Sequence, residues 1–235
     1  MYTVNIGNKH FTLDNKQTIL SLVDDPDKRY VCAKVNNRLR ELGYELSFDC
    51  DVQLLDLKDA DAVKVYETSL RYMIAMAFHN VYPDYKIKIC YGISRSLMVT
   101  IMSPSVKPDG RMVETVTAEM RRLVALDLPF ERMSMSKTDA YDMFVANGDL
   151  DKALTLQYRP EKICHFHKCG VYVNYMYGYV VPSTGYINRF RMFVYDGNIV
   201  CQYPRYEMNG EIPEFKDEPT FSKVQKRAYK WAKLC

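Results

Sequence analysis

The sequence has no apolar run long enough to cross a membrane. Its longest apolar stretches, Met73 to Phe78 and Tyr175 to Pro182, fall far short of the roughly 20 residues a spanning helix needs. The first residues alternate like a strand instead of forming the basic and apolar regions of a signal peptide. No membrane partner is expected, and the cytoplasm is the expected compartment. A dominant charge is also missing: 32 basic and 29 acidic residues leave a net charge of +3, too balanced to imply nucleic-acid binding without local clusters. The seven cysteines are odd in number and lack a tight spacing framework. That argues against disulfides and for thiols used as small apolar residues in a reducing compartment. None of the ten glycines is followed by lysine, so these residues lack the glycine-rich loop that cradles phosphates before Lys-Ser or Lys-Thr. There is no internal repeat and no low-complexity tract.

What is there is ample apolar content, 48% of 235 residues, enough for packed cores in one large or two small domains. The compositional oddity is nineteen tyrosines and thirteen methionines. Tyrosine offers a flat apolar body with a polar tip, suited to wet binding surfaces. Tyrosine-rich strands and a methionine-tolerant core account for the same counts.

The pattern predicts an α+β fold. Tyr2 to Ile6 and His10 to Leu13 alternate around a Gly7-Asn8 turn as a hairpin. Thr18 to Val23 reads as a short helix capped from Asp14 to Gln17. Val31 to Asn36 and Val52 to Leu57 read as strands, with Asn37 at a position that wants a left-handed residue. A polar stretch at Asp56 to Asp61 is the expected domain boundary. Beyond it, Tyr66, Ser69, Tyr72, Met73, Met76, Ala77 and Val81 form one stripe of a helix from Val65 to Val81, ended by Pro83. Strands at Lys86 to Tyr91 and Leu97 to Met102, and a helix from Val113 to Leu126, follow. Ser136 and Asp139 make a capping-box-like start for a helix that stops at Asn147-Gly148, before a shorter one from Asp149 to Gln157. Strands are expected at Lys162 to His167, Val171 to Tyr175, Phe190 to Tyr195 and Val200 to Tyr203. A final helix sets Phe221, Val224, Ala228 and Trp231 on one face.

Two resemblances sharpen this layout. Val35, Asn36, Asn37, Leu39, Leu46, Asp49 and Val52 resemble the pattern of the TGS domain found at the front of threonyl-tRNA synthetases, which implies a ubiquitin-like β-grasp over residues 1–60. Residues 62–215 resemble the second additional domain of those synthetases, on Pro83, Asn147-Gly148, Tyr172, Val173, Gly178 and Pro182. In that family the domain hydrolyses mischarged seryl-tRNA with two histidines one helical turn apart, a cysteine, and a histidine four residues after it. The matching positions here are Thr68, Tyr72, Met176 and Val180. Threonine, methionine and valine cannot shuttle a proton at neutral pH and tyrosine does so poorly, so the resemblance implies a degenerate editing site with no catalytic residues.

The remaining motifs are Leu128-Pro129-Phe130-Glu131-Arg132, Tyr158-Arg159-Pro160, Cys169-Gly170, Val181 to Tyr186 and Tyr203-Pro204-Arg205. They resemble the amino-terminal region of bacterial uridine (nucleoside) kinases that begin with synthetase-like domains. That resemblance implies a non-catalytic accessory region, with residues 216–235 as a helix leading to a covalently following P-loop kinase domain. It places ATP and Mg in that longer parent, and no cofactor in these residues. The alternative is a free-standing RNA (tRNA)-binding or protein-interaction module.

Several side chains are candidates for ligand contact. Arg189, Arg191 and Arg205, interleaved with Tyr186, Phe190, Tyr203 and Tyr206, could pair with phosphates and stack bases of a nucleoside or RNA. An ordinary strand with one charged face gives the same pattern. Ser183 and Thr184 could donate hydrogen bonds to a ligand, or simply close a tight turn. His165, His167 and Cys169 would share a strand face, with Cys164 beside them, yet no fourth ligand has a matching spacing. They are therefore read as a solvent-facing strand with no metal.

Overall fold

The computed structural model describes residues 1–103 and 105–231. The amino-terminal part builds a mixed five-stranded sheet. Strands β1 (Tyr2–Ile6) and β2 (Lys9–Leu13) form the expected hairpin. A two-residue strand β3 (Gln17–Thr18) leads into the one-turn helix α1 (Ile19–Leu22), capped by Thr18 itself, whose hydroxyl accepts from the Ser21 amide at 3.2 Å. The cap therefore lies closer to the helix than the Asp14 to Gln17 run expected for it. Strands β4 (Cys32–Val35) and β5 (Arg38–Arg40) close around Asn36 and Asn37, both left-handed at φ 47° and 63°. Two left-handed residues between paired strands are the geometry of a tight hairpin turn, which asparagine tolerates better than most residues. Strand β6 (Glu45–Leu46) pairs with β3, and β7 (Cys50–Leu55) returns to the centre of the main sheet. The order is β2-β1-β7-β4-β5, with β1 and β7 parallel. Sequence periodicity missed β3, β5 and β6, which are too short to show alternation.

Helix α2 (Ala60–Val81) begins inside the polar stretch expected as a boundary, because Asp59 caps it by accepting from the Asp61 amide at 2.7 Å. Its predicted stripe is buried from Tyr66 to Ala77 and half-buried at Val81, with Tyr66, Tyr72 and Met73 sealed from solvent. Strands β8 (Ile87–Tyr91) and β9 (Leu97–Ile101) are followed by helix α3 (Gly110–Leu126), whose cap is Asp109. Strand β10 (Glu131–Ser136) was not foreseen. Helices α4 (Lys137–Ala146) and α5 (Leu150–Gln157) meet at Gly148, left-handed at φ 73°. Strands β11 (Ile163–Cys169), β12 (Tyr172–Asn174), β13 (Arg191–Tyr195) and β14 (Asn198–Gln202) complete two antiparallel sheets, β10-β11-β12 and β13-β14-β9-β8.

The fold is α+β. One continuous core runs from Val4 and Leu55 of the first sheet through α2 and α3 to Tyr203. A smaller core gathers Ala140, Phe144, Ala153, Leu156, Cys164 and Phe166 under α4 and α5. Strand β11 serves both, placing Cys164 and Phe166 in the small core and Cys169 in the large one. Helix α6 (Pro219–Trp231) leaves Val224 and Trp231 exposed, so its expected apolar face covers no core among the described residues. The Phe221 side chain and residues 232–235 of the expected terminal helix lie outside the described residues. No helix among the described residues is long and apolar enough to cross a membrane.

Candidate functional site

Helix α2 presents Thr68, Ser69 and Tyr72 toward the segment after β12. Gly178 passes so close that a Cβ there would sit 3.7 Å from the Thr68 hydroxyl. The Val181 amide donates to Ser69 Oγ at 2.9 Å, and Ser69 in turn donates to the Val65 carbonyl at 2.8 Å. Tyr72 fills the space between helix and segment. It is fully buried, and its single proton is shared between the carbonyl oxygens of Tyr172 at 2.8 Å and His167 at 2.9 Å. Its ring packs edge-on against Phe130 and Tyr172 at 5.2 and 5.3 Å. Burial pushes the phenol far above its ordinary pKa, with Cys169 and Tyr172 adding to the effect, so the group stays a neutral donor.

The other three positions are equally committed. The Thr68 hydroxyl donates to the Lys64 carbonyl of its own helix at 2.9 Å. Met176 is half-buried against the main core, and Val180 is buried with its amide donating to Glu41 at 2.8 Å. None of the four offers a base, a nucleophile or a hard metal ligand. Among the described residues, no three of His, Cys, Asp and Glu gather as a metal-binding group.

Ser183, Thr184 and Tyr186 serve the turn that closes α3. Asp127 is left-handed at φ 50° at the end of that helix, and its carboxylate receives the Ser183 hydroxyl, the Gly185 amide and Lys28. Thr184 is fully buried, donating to the Leu123 carbonyl at 2.6 Å and accepting from the Leu128 amide at 2.9 Å. Its single proton is committed, so the buried hydroxyl cannot donate to a ligand. Tyr186 is buried under Lys28, and that burial raises its phenol to about 12.

The arginine and tyrosine set divides. Arg189 pairs with Glu211 at 2.6 Å, while Arg191 bonds Gln202 and reaches the Pro213 carbonyl. Tyr203 and Arg205, with Tyr206, border a cleft. It has a volume of about 260 Å³ and lies between the start of α2 and the β8–β9 turn. Lys64, Glu67, Arg95 and Ser96 line it with them. Tyr203 donates to Glu67 at 2.6 Å, Arg205 donates to the Tyr203 hydroxyl at 2.8 Å, and Arg71 donates to the other Glu67 oxygen at 2.9 Å. The β8–β9 turn places Arg95 at the mouth through two consecutive left-handed residues, Ser94 at φ 53° and Arg95 at φ 55°.

The expected solvent-facing histidine pair is corrected. His165 is exposed and bonded to Ser134 at 2.8 Å, but His167 is buried at 5% exposure. Strand β11 crosses from one core to the other, so simple alternation fails at its end. Both ring nitrogens of His167 lack a hydrogen-bond partner, and a carboxylate oxygen of Glu41 lies 4.0 Å away. Glu41 itself accepts both a bidentate Arg132 pair, at 2.9 and 3.0 Å, and the Val180 amide. Sequence reasoning missed Glu41 entirely. Its partners lie between 91 and 139 residues away, so no local spacing marks it.

No family model matches the chain. Among curated proteins it is similar to threonine–tRNA ligase of Carboxydothermus hydrogenoformans, 28% identical over 166 residues, covering 70% of this chain and 26% of that one. The enzyme of the same name from Symbiobacterium thermophilum is 26% identical over 70% of the chain, covering 25% of its own length. That of Listeria monocytogenes is 27% identical over 79% of the chain and 28% of its own. The chain therefore spans about a quarter of the length of these relatives. Taken with the α+β architecture, the similarity supports a threonyl-tRNA-synthetase-like domain within this chain.

Proposed function

We propose that these residues form a non-catalytic accessory region whose editing-like site is degenerate and packed shut, and which holds a substrate, nucleotide or RNA for an attached domain. The observation that carries this reading is Tyr72, a sealed phenol bonded to two backbone carbonyls where the synthetase resemblance expects a histidine. Residues 1–60 fit a β-grasp of the TGS type, because two hairpins flank a central parallel pair in the order β2-β1-β7-β4-β5. Residues 62–215 fit the second additional domain. Residues 216–235 lead toward a P-loop nucleoside (uridine) kinase domain, which would bring ATP and Mg, with the whole acting in the cytoplasm. That last part rests on the resemblance of motifs such as Val181 to Tyr186 alone.

Incubation with seryl-tRNA tests the closed site. The expected result is no release of serine above the buffer rate, and release would overturn the reading. The native reading frame past the codon for Cys235 tests the kinase. A Gly-x-x-x-x-Gly-Lys-Ser/Thr loop supports it, and a stop codon removes it. The second reading is a free-standing tRNA-binding or interaction module, which the cleft at Tyr203 and Arg205 suits equally and which a stop codon would put in first place.

A further inference from the structure

We propose that the cleft between the start of α2 and the β8–β9 turn binds the phosphate ester of a nucleotide, with its base stacked on Tyr206. Three cations, Lys64, Arg95 and Arg205, line the cleft against one carboxylate, Glu67. That carboxylate faces Arg71 and the Tyr203 hydroxyl, so its charge is answered from inside the protein. The cations are answered less well. Arg95 and Arg205 share Glu207 at 3.9 and 3.3 Å, and Lys64 reaches Asp61 at 3.5 Å from a side chain 76% exposed. The Lys64 and Arg95 side chains are exposed, and their pairs at such lengths contribute little and exchange easily for a better-placed anion. A phosphate can replace Glu207 and accept from two guanidinium groups at once, which a single shared carboxylate does poorly.

Tyr203 and Glu67 hold Arg205 rigidly, because its Nη1 is bonded to the Tyr203 hydroxyl and its side chain is only 18% exposed. The buried Arg205 Nε has no hydrogen-bond partner, one donor more than the protein satisfies. Tyr206 stands at the rim with 44% of its surface open, a ring available for stacking. A volume of about 260 Å³ holds a phosphate and a ribose and leaves the base at the mouth, beside that ring. The same chemistry is presented by a free nucleoside monophosphate and by the end of a single strand.

The test is calorimetric titration of the whole chain with adenosine 5′-monophosphate, adenosine, inorganic phosphate and hexa-adenylate at low salt. Adenosine 5′-monophosphate is expected to bind and adenosine to fail. The double variant Lys64→Gln/Arg95→Gln, at exposed positions outside the core, is expected to raise Kd about tenfold, and Tyr206→Ala several-fold. Hexa-adenylate binding about tenfold tighter than the monophosphate assigns the site to a strand end, and equal binding assigns it to a free nucleotide. Inorganic phosphate binding as well as the monophosphate, or Tyr206→Ala without effect, overturns the nucleotide class. Binding untouched by the double variant overturns the site while leaving the accessory reading intact. Binding of neither adenosine 5′-monophosphate nor hexa-adenylate at about millimolar concentration overturns the nucleotide site, and the accessory reading then stands or falls on the seryl-tRNA and reading-frame tests. The site deepens that reading but does not depend on the absence of serine release.

Discussion

Glu41 Oε1 lies 4.0 Å from Nε2 of His167, linking the loop after β5 to the buried end of β11. Burial lowers the His167 pKa below its ordinary 6.5, Glu41 raises it in part, and Arg132 lowers it again. The unfolded chain therefore takes up the proton first. Stability from this group is complete above about pH 6.5 and is lost as pH falls from there toward the folded value. Thermal unfolding between about pH 7.5 and about pH 5.5, on either side of the ordinary histidine value, should show Tm falling with acid. His167→Gln should flatten that slope. An equal slope in both proteins would remove His167 as its source.

Tyr72→Phe should destabilise the fold by about 1–2 kcal/mol, because the buried His167 carbonyl and the part-buried Tyr172 carbonyl lose this donor. Tyr72→Ala should cost about 3–5 kcal/mol through the cavity left beneath Phe130 and Tyr172. Urea midpoints at constant m measure both.

Glu41 ties the Val180 amide and Arg132 to the amino-terminal sheet. Arg132 is 57% exposed, so its pair is discounted for solvent screening to about 0.5–1 kcal/mol. Glu41→Gln keeps a carbonyl for the amide and loses the charge, whereas Glu41→Ala loses both. Hydrogen exchange at the Val180 amide should stay slow in the glutamine variant and quicken in the alanine one. Equal protection in both would show that the amide is held by something else.

Gly92 is required where the β8–β9 turn tightens. A Cβ there would sit 2.7 Å from Ser96 Oγ, which is itself held to the Ile93 carbonyl at 2.6 Å, and 3.2 Å from Met98 Cβ. Gly92→Ala should cost about 1–3 kcal/mol and displace Arg95 from the cleft. Unchanged stability with unchanged nucleotide binding would show that the turn relaxes freely.

The sequence by itself determined the α+β class, the long amphipathic helix with its buried stripe, and the caps and left-handed turns at Ser136, Gly148 and Asn37. These follow from side-chain periodicity and from local steric or hydrogen-bond preferences, which act over a few residues. It also specified that Thr68, Tyr72, Met176 and Val180 lack proton-transferring chemistry, since that is a property of residue type. Only the tertiary structure decided that Tyr72 closes the space beside α2, that Thr184 is spent on α3, and that Arg189 and Arg191 bond Glu211 and Gln202 while Arg205 borders the cleft. The strand β11 passing between two cores buried His167 against its alternation pattern. Glu41 acquired its role from partners that only folding brings near. Contacts between distant segments depend on how sheets and helices stack, and no local pattern encodes that.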